Sequence, residues 1–496
     1  MVLKSFFSLP FAKYIIRKNS YWKNNAVLVQ EKLLLSLIKS AKKTQFGKDH
    51  NFNKITNYYD WKKHVPIRDY EGLKGYIQQI ISGEKNVLWP NTPLYFCKTS
   101  GTTSGEKYIP ISKESMPHHI RAARDAILCY ISESRNTSIV NGKMIFLQGS
   151  PKLSKTGNIL TGRLSGIVAH HVPSYLTKNR LPSFKANCIP NWEDKVDAIV
   201  EETLPENMSL ISGIPPWVQM YFEKLQKKTG KLIKDVFPNF NLFIYGGVNF
   251  EPYRESFEKL IGKKVAALEV YPASEGFIAY QDSQKTNGML LCVNHGIFYE
   301  FIQADDFFNN TQKRISLADV KVGVNYVIIL NTNAGLWGYN IGDTVKFTSI
   351  NPYKIVVTGR IKHFTSAFGE HVIAEEVEQS LQKTVKKHPA QINELHVAPQ
   401  VRPKNGLPHH EWIIEFKSPP ENLSIFTKTL DEELQKLNTY YNDLIIGGVL
   451  KPLEVTVVPE NTFRNYMKLV GRLGGQNKTP RLSNDRKIAD KITMTL

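Results

Sequence analysis

The sequence predicts an α/β protein: a large N-terminal domain of helices and mostly parallel sheets, then a small α+β domain. Length is the first reason, because 496 residues exceed what one hydrophobic core usually organises. Texture is the second: from about residue 90 to 350, short apolar strands alternate with helical stretches. The third is a change of pattern after about residue 360. A join near Gly359–Lys362 gives domains of residues 1–360 and 361–496.

In chain order, the first 75 residues read as helices, with Leu28, Leu33, Leu34, Leu37 and Ile38 spaced near 3.6. Met144–Leu147, Leu242–Tyr245, Ala267–Tyr271 and Tyr326–Leu330 read as strands, and Met116–Ser132 and Pro216–Lys227 as helices. In the C-terminal unit Glu375–Lys387 and a long amphipathic stretch, Leu423–Asp443, read as helices. Glu411–Phe416 and Leu453–Val458 read as strands there. No repeat or low-complexity segment is visible.

Composition narrows the function classes. At 42% apolar and 22% charged, collagen-like, coiled-coil and wholly disordered chains are out. Lys and Arg number 64 against 45 Asp and Glu, a formal charge of +19 that favours an anionic partner: nucleotide, nucleic acid or membrane surface. Cys97, Cys129, Cys188 and Cys292 lie far apart with no C-x-x-C pair. That argues against a disulfide framework or zinc site and fits a reducing compartment. No apolar run approaches the roughly 18 residues of a spanning helix. Pro10 and Lys13 interrupt the N-terminal run, so a mature helix is expected there, with no membrane span and a cytoplasmic location.

Four clusters carry chemistry. Thr99–Lys107, a Ser/Thr/Gly run after the strand-like Leu94–Cys97, offers backbone N–H groups and hydroxyls to an anion. Gly101 and Gly105 permit close backbone approach, and Lys107 could add a point charge; a polar turn is the competing reading. Tyr271–Gly276 follows another apolar run, where Glu275 could serve Mg²⁺ or Ser274 and Glu275 could cap a helix. Tyr339–Asp343 ends in a carboxylate that can accept from ribose hydroxyls or sit in a turn, and Arg360 can bind phosphate. Gly246 and Gly247 mark another close approach. The last cluster sets Arg464, Lys468, Arg472, Lys478, Arg481, Arg486, Lys487 and Lys491 against Asp485 and Asp490. It reads as a solvated arm, or as an ordered loop punctuated by Gly471, Gly474, Gly475 and Pro480.

Taken in order, these clusters resemble the adenylate-forming superfamily of acyl-CoA synthetases and luciferases. Within it the chain is most similar to the auxin-responsive acyl acid amido synthetases. The carriers are TSGTTSGEKYIP at Thr99–Pro110, YPASEG at Tyr271–Gly276 and YNIGD at Tyr339–Asp343. GRIKHFTSAFGEHVIAEEVE at Gly359–Glu378 and GGQNKTPRLSNDR at Gly474–Arg486 complete the set.

The resemblance implies that Ser100, Gly101, Thr102 and Thr103 meet ATP phosphates, that Gly247 and Tyr271 lie by the nucleotide, and that Glu275 holds Mg²⁺. It gives Asp343 the ribose, Arg360 and Lys362 the hinge of a mobile small domain, and Lys478 the reach to phosphate. Asn340 stands where the family often has Arg, and Lys107 follows Gly105 at short spacing. The chain lacks the T-G-x-P-K-G loop of acyl-CoA synthetases. The implied reaction is ATP-dependent activation of a carboxylic acid as acyl-adenylate, then transfer to an amine such as an amino acid. Transfer to coenzyme A or another thiol is the alternative. No nucleic-acid-binding signature accompanies the charge. His118, His119, Arg121 and Arg124 on Met116–Ser132 could meet a substrate carboxylate, but solvated helix positions are expected.

Overall fold

The computed structural model describes residues 2–100, 106–247, 250–308, 313–361, 364–365, 367–368, 370, 372–401, 403, 405–446, 449–471, 473 and 479–494. These form two compact units. One comprises Met1–Ile341 and Val345–Val356, the other Gly342–Thr344 and Val357–Leu496.

The first unit begins with helices α1 (Val2–Asn24) and α2 (Ala26–Ala41). Leu34, Leu37, Ile38 and Ala41 bury one stripe of α2, whereas Leu28 lies off that stripe and is exposed. Gln30 is buried on the same helix without cost, because Nε2 donates to the Val293 and Ile297 carbonyls and Oε1 accepts from Tyr299 N. Strand β1 (Tyr95–Ser100) forms a hairpin with β2 (Glu106–Ile111), and helix Met116–Ser134 follows. Then come β3 (Lys143–Phe146), β4 (Ser154–Thr156), β5 (Ile159–Gly162), β6 (Arg180–Leu181), β7 (Met208–Ser212), β8 (Leu242–Gly246) and β9 (Ala266–Ala273). The remaining strands are β10 (Gly276–Tyr280), β11 (Met289–Leu291), β12 (Ile297–Gln303), β13 (Asn325–Thr332), β14 (Tyr339–Ile350) and β15 (Tyr353–Arg360).

Among the described residues, the large sheet runs β12-β13-β14-β15-β11-β10-β9-β8-β7-β3-β6. It is α/β as expected, with the β9-β8-β7-β3-β6 side parallel. From β9 through β10 and β11 to β15 the pairing is antiparallel; short connections return the chain from β9 to β10 and from β10 to β11, whereas β15 comes back to β11 only after β12, β13 and β14. The parallel strands are buried on both faces: Leu242 and Ile244 of β8 enter one core, Phe243 and Tyr245 the other.

In the second unit, β16 (Phe364–Thr365) pairs with β17 (Val372–Ile373). The strands β18 (Gln391–Gln400), β19 (His409–Ser418) and β20 (Glu454–Val458) form its main sheet. Trp412, Ile414 and Phe416 pack with helices Ala374–Lys387 and Leu423–Leu437, while Ile413 faces Phe463 and Ala489. That is the two-residue period of a strand covered on both sides. The long helix expected over Leu423–Asp443 is two helices, Leu423–Leu437 and Thr439–Ile446. Asn438 separates them: its backbone is extended and its Oδ1 accepts from Tyr441 N at 2.8 Å.

Candidate active site

The two ends of the Ser/Thr/Gly run lie on the paired strands β1 and β2. Thr99 pairs with Lys107 and Ser100 with Glu106, so both strands reach further into the run than the sequence suggests. Ser100 closes β1, and Gly101, Thr102 and Thr103 lie outside the described residues. Lys107 Nζ stands 5.6 Å above the Tyr70 ring, whose hydroxyl accepts from Tyr108 N at 3.0 Å. Helix Tyr70–Ile81 thus braces one arm of the hairpin, and Asp69 caps that helix by accepting from Glu71 N and Gly72 N.

Tyr271–Gly276 is a second hairpin and not a helix start. Gly276 opposes Ala273, leaving Ser274 and Glu275 as the two turn residues between β9 and β10. Tyr271 is buried and Glu275 half-buried. Parallel pairing sets Gly246 of β8 opposite Val270 of β9, so Gly247 and Tyr271 are the next residues along the two strands. A Cβ at Gly246 would lie 2.3 Å from the Val270 carbonyl oxygen, so only glycine fits. Gly247 takes the left-handed conformation, φ 72°. These groups stand at the carboxyl ends of parallel strands, where open α/β sheets bind ligands.

One contact joins the two hairpins. The Cys97 thiol of β1 donates to Ser274 Oγ at 3.1 Å. Burial pushes that thiol up to about 12, with the Glu275 carboxylate adding to the rise against the Ser274 hydrogen bond. Ser100 lies three residues beyond Cys97 on the same strand, so the end of β1 and the Glu275 turn share one neighbourhood. The sequence offered Ser274 only as a helix cap and Cys97 only as one of four scattered thiols. Their signal was position alone: each sits beside a motif.

In the second unit Asp343 lies within β14, not in a turn, and Arg360 Nε donates to its Oδ1 at 2.7 Å. Gly342 takes the left-handed conformation, φ 86°, which side-chain-bearing residues rarely adopt without strain. Thr358 Oγ1 donates to Thr344 Oγ1 at 2.8 Å, and Ile361 N to the Gly342 carbonyl at 2.7 Å. Lys362 and Lys478 lie outside the described residues.

Sequence reasoning missed a buried pair in the same unit: His410 Nε2 against Glu370 Oε1 at 2.8 Å, both fully buried. Burial works to raise the Glu370 pKa, yet the His410 hydrogen bond and charge outweigh it and hold the carboxyl below its usual range. The basic tail is no solvated arm over its described part. Arg481 pairs with Glu394 and Glu378, and Arg486 with Glu411 at 2.7 Å. Leu482 bridges to Val397 of β18. On helix Met116–Ser134, His119 is buried and His118 half-buried, contrary to the solvated reading, and burial lowers each to about 4. Arg124 is held by Asp125 at 2.7 Å.

Among the described residues no cluster of three or more metal-ligating side chains occurs. A single turn carboxylate such as Glu275 nonetheless fits Mg²⁺, which takes one or two carboxylates and completes its octahedron with phosphate oxygens and water.

This fold has counterparts among solved structures. It is shared with the acyl acid amido synthetase GH3.15 in complex with 2,4-DB, at TM-score 0.80 and 16% identity over 98% of this chain and 96% of that one. A 2-hydroxyisobutyryl-CoA ligase superposes at TM-score 0.57 and 12% identity, over 94% and 90%. The chain belongs to the GH3 family: it matches that family's N-terminal domain over residues 16–186, its central domain over 290–360 and its C-terminal domain over 375–487. A jasmonoyl–L-amino acid synthetase of Nicotiana attenuata is 22% identical over 64% of this chain and 66% of its own length. The chain therefore spans just under two thirds of that relative. An indole-3-acetic acid-amido synthetase of Arabidopsis thaliana is 21% identical over 92% and 89%.

Proposed function

We propose that the protein is an ATP-dependent acyl acid amido synthetase. It activates a carboxylic acid as acyl-adenylate and passes the acyl group to the amine of an amino acid, releasing AMP and pyrophosphate. The observation that carries this reading is the Cys97–Ser274 contact, which sets the β1–β2 hairpin beside the Glu275 turn. The contact spans 177 positions of sequence, which supports the two motifs serving one substrate. Family membership and the activities named for the relatives support it.

In this mechanism the run Ser100 to Thr103 cradles the phosphates with backbone N–H groups and hydroxyls. Tyr271 and Gly247 flank the nucleotide base, and Asp343 accepts from the ribose hydroxyls. Glu275 would hold Mg²⁺, which offsets charge on the phosphate oxygens when bound. The substrate carboxylate attacks the α-phosphorus, and the Pα–O bond to pyrophosphate breaks. Lys478 adds a preorganised positive charge as negative charge spreads over the phosphate. In the second step the amine attacks the acyl carbon, AMP leaves, and the amine gives up its proton. Arg360 lies where the chain enters the second unit, and a swing of that unit (residues 361–496 on the sequence boundary) exchanges the groups at the site between steps. The four cysteines are free thiols, three of them buried, which suits a reducing cytoplasm.

Pyrophosphate exchange across a panel of carboxylic acids tests the first half-reaction. Mass spectrometry of reactions offered amino acids and coenzyme A tests the second. Acid-dependent exchange followed by amide is expected; thioester alone would replace the amide reading with thioester formation.

A further inference from the structure

Helix α1 presents a face that the catalytic reading leaves unused. Phe7, Phe11, Tyr14, Lys18 and Tyr21 recur at three- and four-residue intervals, which stacks them into one stripe along the helix. Its four aromatics, with Phe6 beside them, are 45–71% exposed. Scattered apolar side chains on a surface need no explanation, but a contiguous aromatic stripe marks an interaction surface. Every charged residue before Glu31 is positive: Lys4, Lys13, Arg17, Lys18 and Lys23.

A cleft of about 550 Å³ borders the stripe, and its lining includes Lys18, Tyr21, Trp22, Arg121 and Arg124. Lys18 and Tyr21 thus belong to both features. Trp22 is buried, and its indole N–H finds no hydrogen-bond partner among the described residues. A buried donor on a cationic cleft is suited to an anionic oxygen. The nearby carboxylates are already engaged. Asp125 takes Arg124 and the Asn19 amide, and Asp282 takes Lys23 and Lys354.

We propose that this face of α1 docks on an anionic membrane surface, with the aromatic stripe in the interface and the Lys18–Arg121 cleft holding a lipid phosphate headgroup. Aromatic rings prefer the headgroup boundary, and cations beside them add attraction to anionic lipid. A second copy of the chain is a poor occupant, since a wholly positive face repels its twin. A nucleic acid would use the cations and leave the Phe6–Phe7 end without a role. The helix lies along the surface: no helix of the described residues is long and apolar enough to cross a bilayer.

Flotation of the full chain with vesicles of phosphatidylcholine, alone or mixed with phosphatidylglycerol, tests this without reference to catalysis. Binding to the mixed vesicles alone is expected, falling as salt rises. Lys18→Gln and Arg121→Gln should each weaken it about fivefold. The double variant Phe7→Ser/Phe11→Ser should weaken it by at least about tenfold, with an unchanged melting temperature. Tyr59→Ser, on another helix and more exposed at 73%, should leave binding intact. If the double variant melts early, Tyr14→Ser takes its place, with a several-fold loss expected. No binding, equal binding to pure phosphatidylcholine, or an equal loss in Tyr59→Ser overturns the proposal. So does a dimer in light scattering that the double variant abolishes, because the occupant is then a second copy.

Discussion

Arg360 Nε donates to Asp343 Oδ1 at 2.7 Å, setting a half-exposed guanidinium against a buried carboxylate. A carboxylate has about four acceptor sites, so this bond orients Asp343 without excluding ribose hydroxyls. Arg360→Lys keeps the charge and loses the planar fork. Its KM for ATP should rise about three- to tenfold, with kcat and melting temperature near wild type, because a half-exposed pair adds little stability. Asp343→Asn should raise KM further. Steady-state kinetics at saturating acid separates these outcomes from a purely structural pair, which would lower melting temperature and leave KM alone.

The Cys97–Ser274 contact yields a chemical prediction and a kinetic one. A buried thiol with its pKa pushed up to about 12 carries almost no thiolate at pH 8. Native protein treated with iodoacetamide should therefore be alkylated first at Cys188, the least buried of the four cysteines, and only slowly at Cys97. Peptide mass spectrometry reads the order. Ser274→Ala removes one hydrogen bond of about 1 kcal/mol beside the Glu275 turn. Adenylation should fall by roughly tenfold, since a slight displacement of a positioning group is costly in rate. The fold should hold.

Much of this architecture was legible because the signals are local. The apolar runs at Leu242–Tyr245 and Tyr326–Leu330 are strands, and both motif loops end strands as their composition implies. The antiparallel half of the sheet was not legible. Whether β9 pairs parallel or antiparallel depends on the turn Ser274–Glu275 being a hairpin, and the same residues cap helices equally well. Asn438 hides for a similar reason: side-chain capping can end one helix and begin another without disturbing the apolar period. Partnerships across 40 or more residues, such as His410 with Glu370 or Arg486 with Glu411, leave no pattern in the chain at all.

The buried His410–Glu370 pair makes acid stability testable. Glu370 titrates below its ordinary 4.5, so as pH falls the unfolded chain takes up a proton first. The stabilisation is present above about 4.5 and drains away as pH drops through the lower folded value. Glu370→Gln abolishes this contribution and leaves His410 without its charged partner, at a cost of about 3 kcal/mol near neutrality. Melting temperatures from pH 7 to 3 should start lower in the variant and fall less steeply. Parallel curves would show that the pair carries no acid-dependent stability.

Lys478 is the remaining test, and the described residues around it sharpen the comparison. Leu482 is fixed to Val397 of β18, and Arg481 and Arg486 are committed to Glu394 and Glu411. Lys487 pairs with Asp485 at 3.4 Å while remaining highly exposed. If the tail cations acted only through summed charge, Lys478→Ala and Lys487→Ala would have equal effects. A lysine that meets developing phosphate charge behaves otherwise. Its removal should cost about 3–4 kcal/mol, or roughly 10²–10³ in the rate of adenylation. The attack of amine on preformed acyl-adenylate should change little, because only the first half-reaction needs the lysine in place. Lys487→Ala serves as the control in both half-reactions, with melting temperature reporting the fold. Equal adenylation rates for the two variants would take Lys478 off the catalytic list and make Lys468, on helix Thr462–Leu469, the next to test.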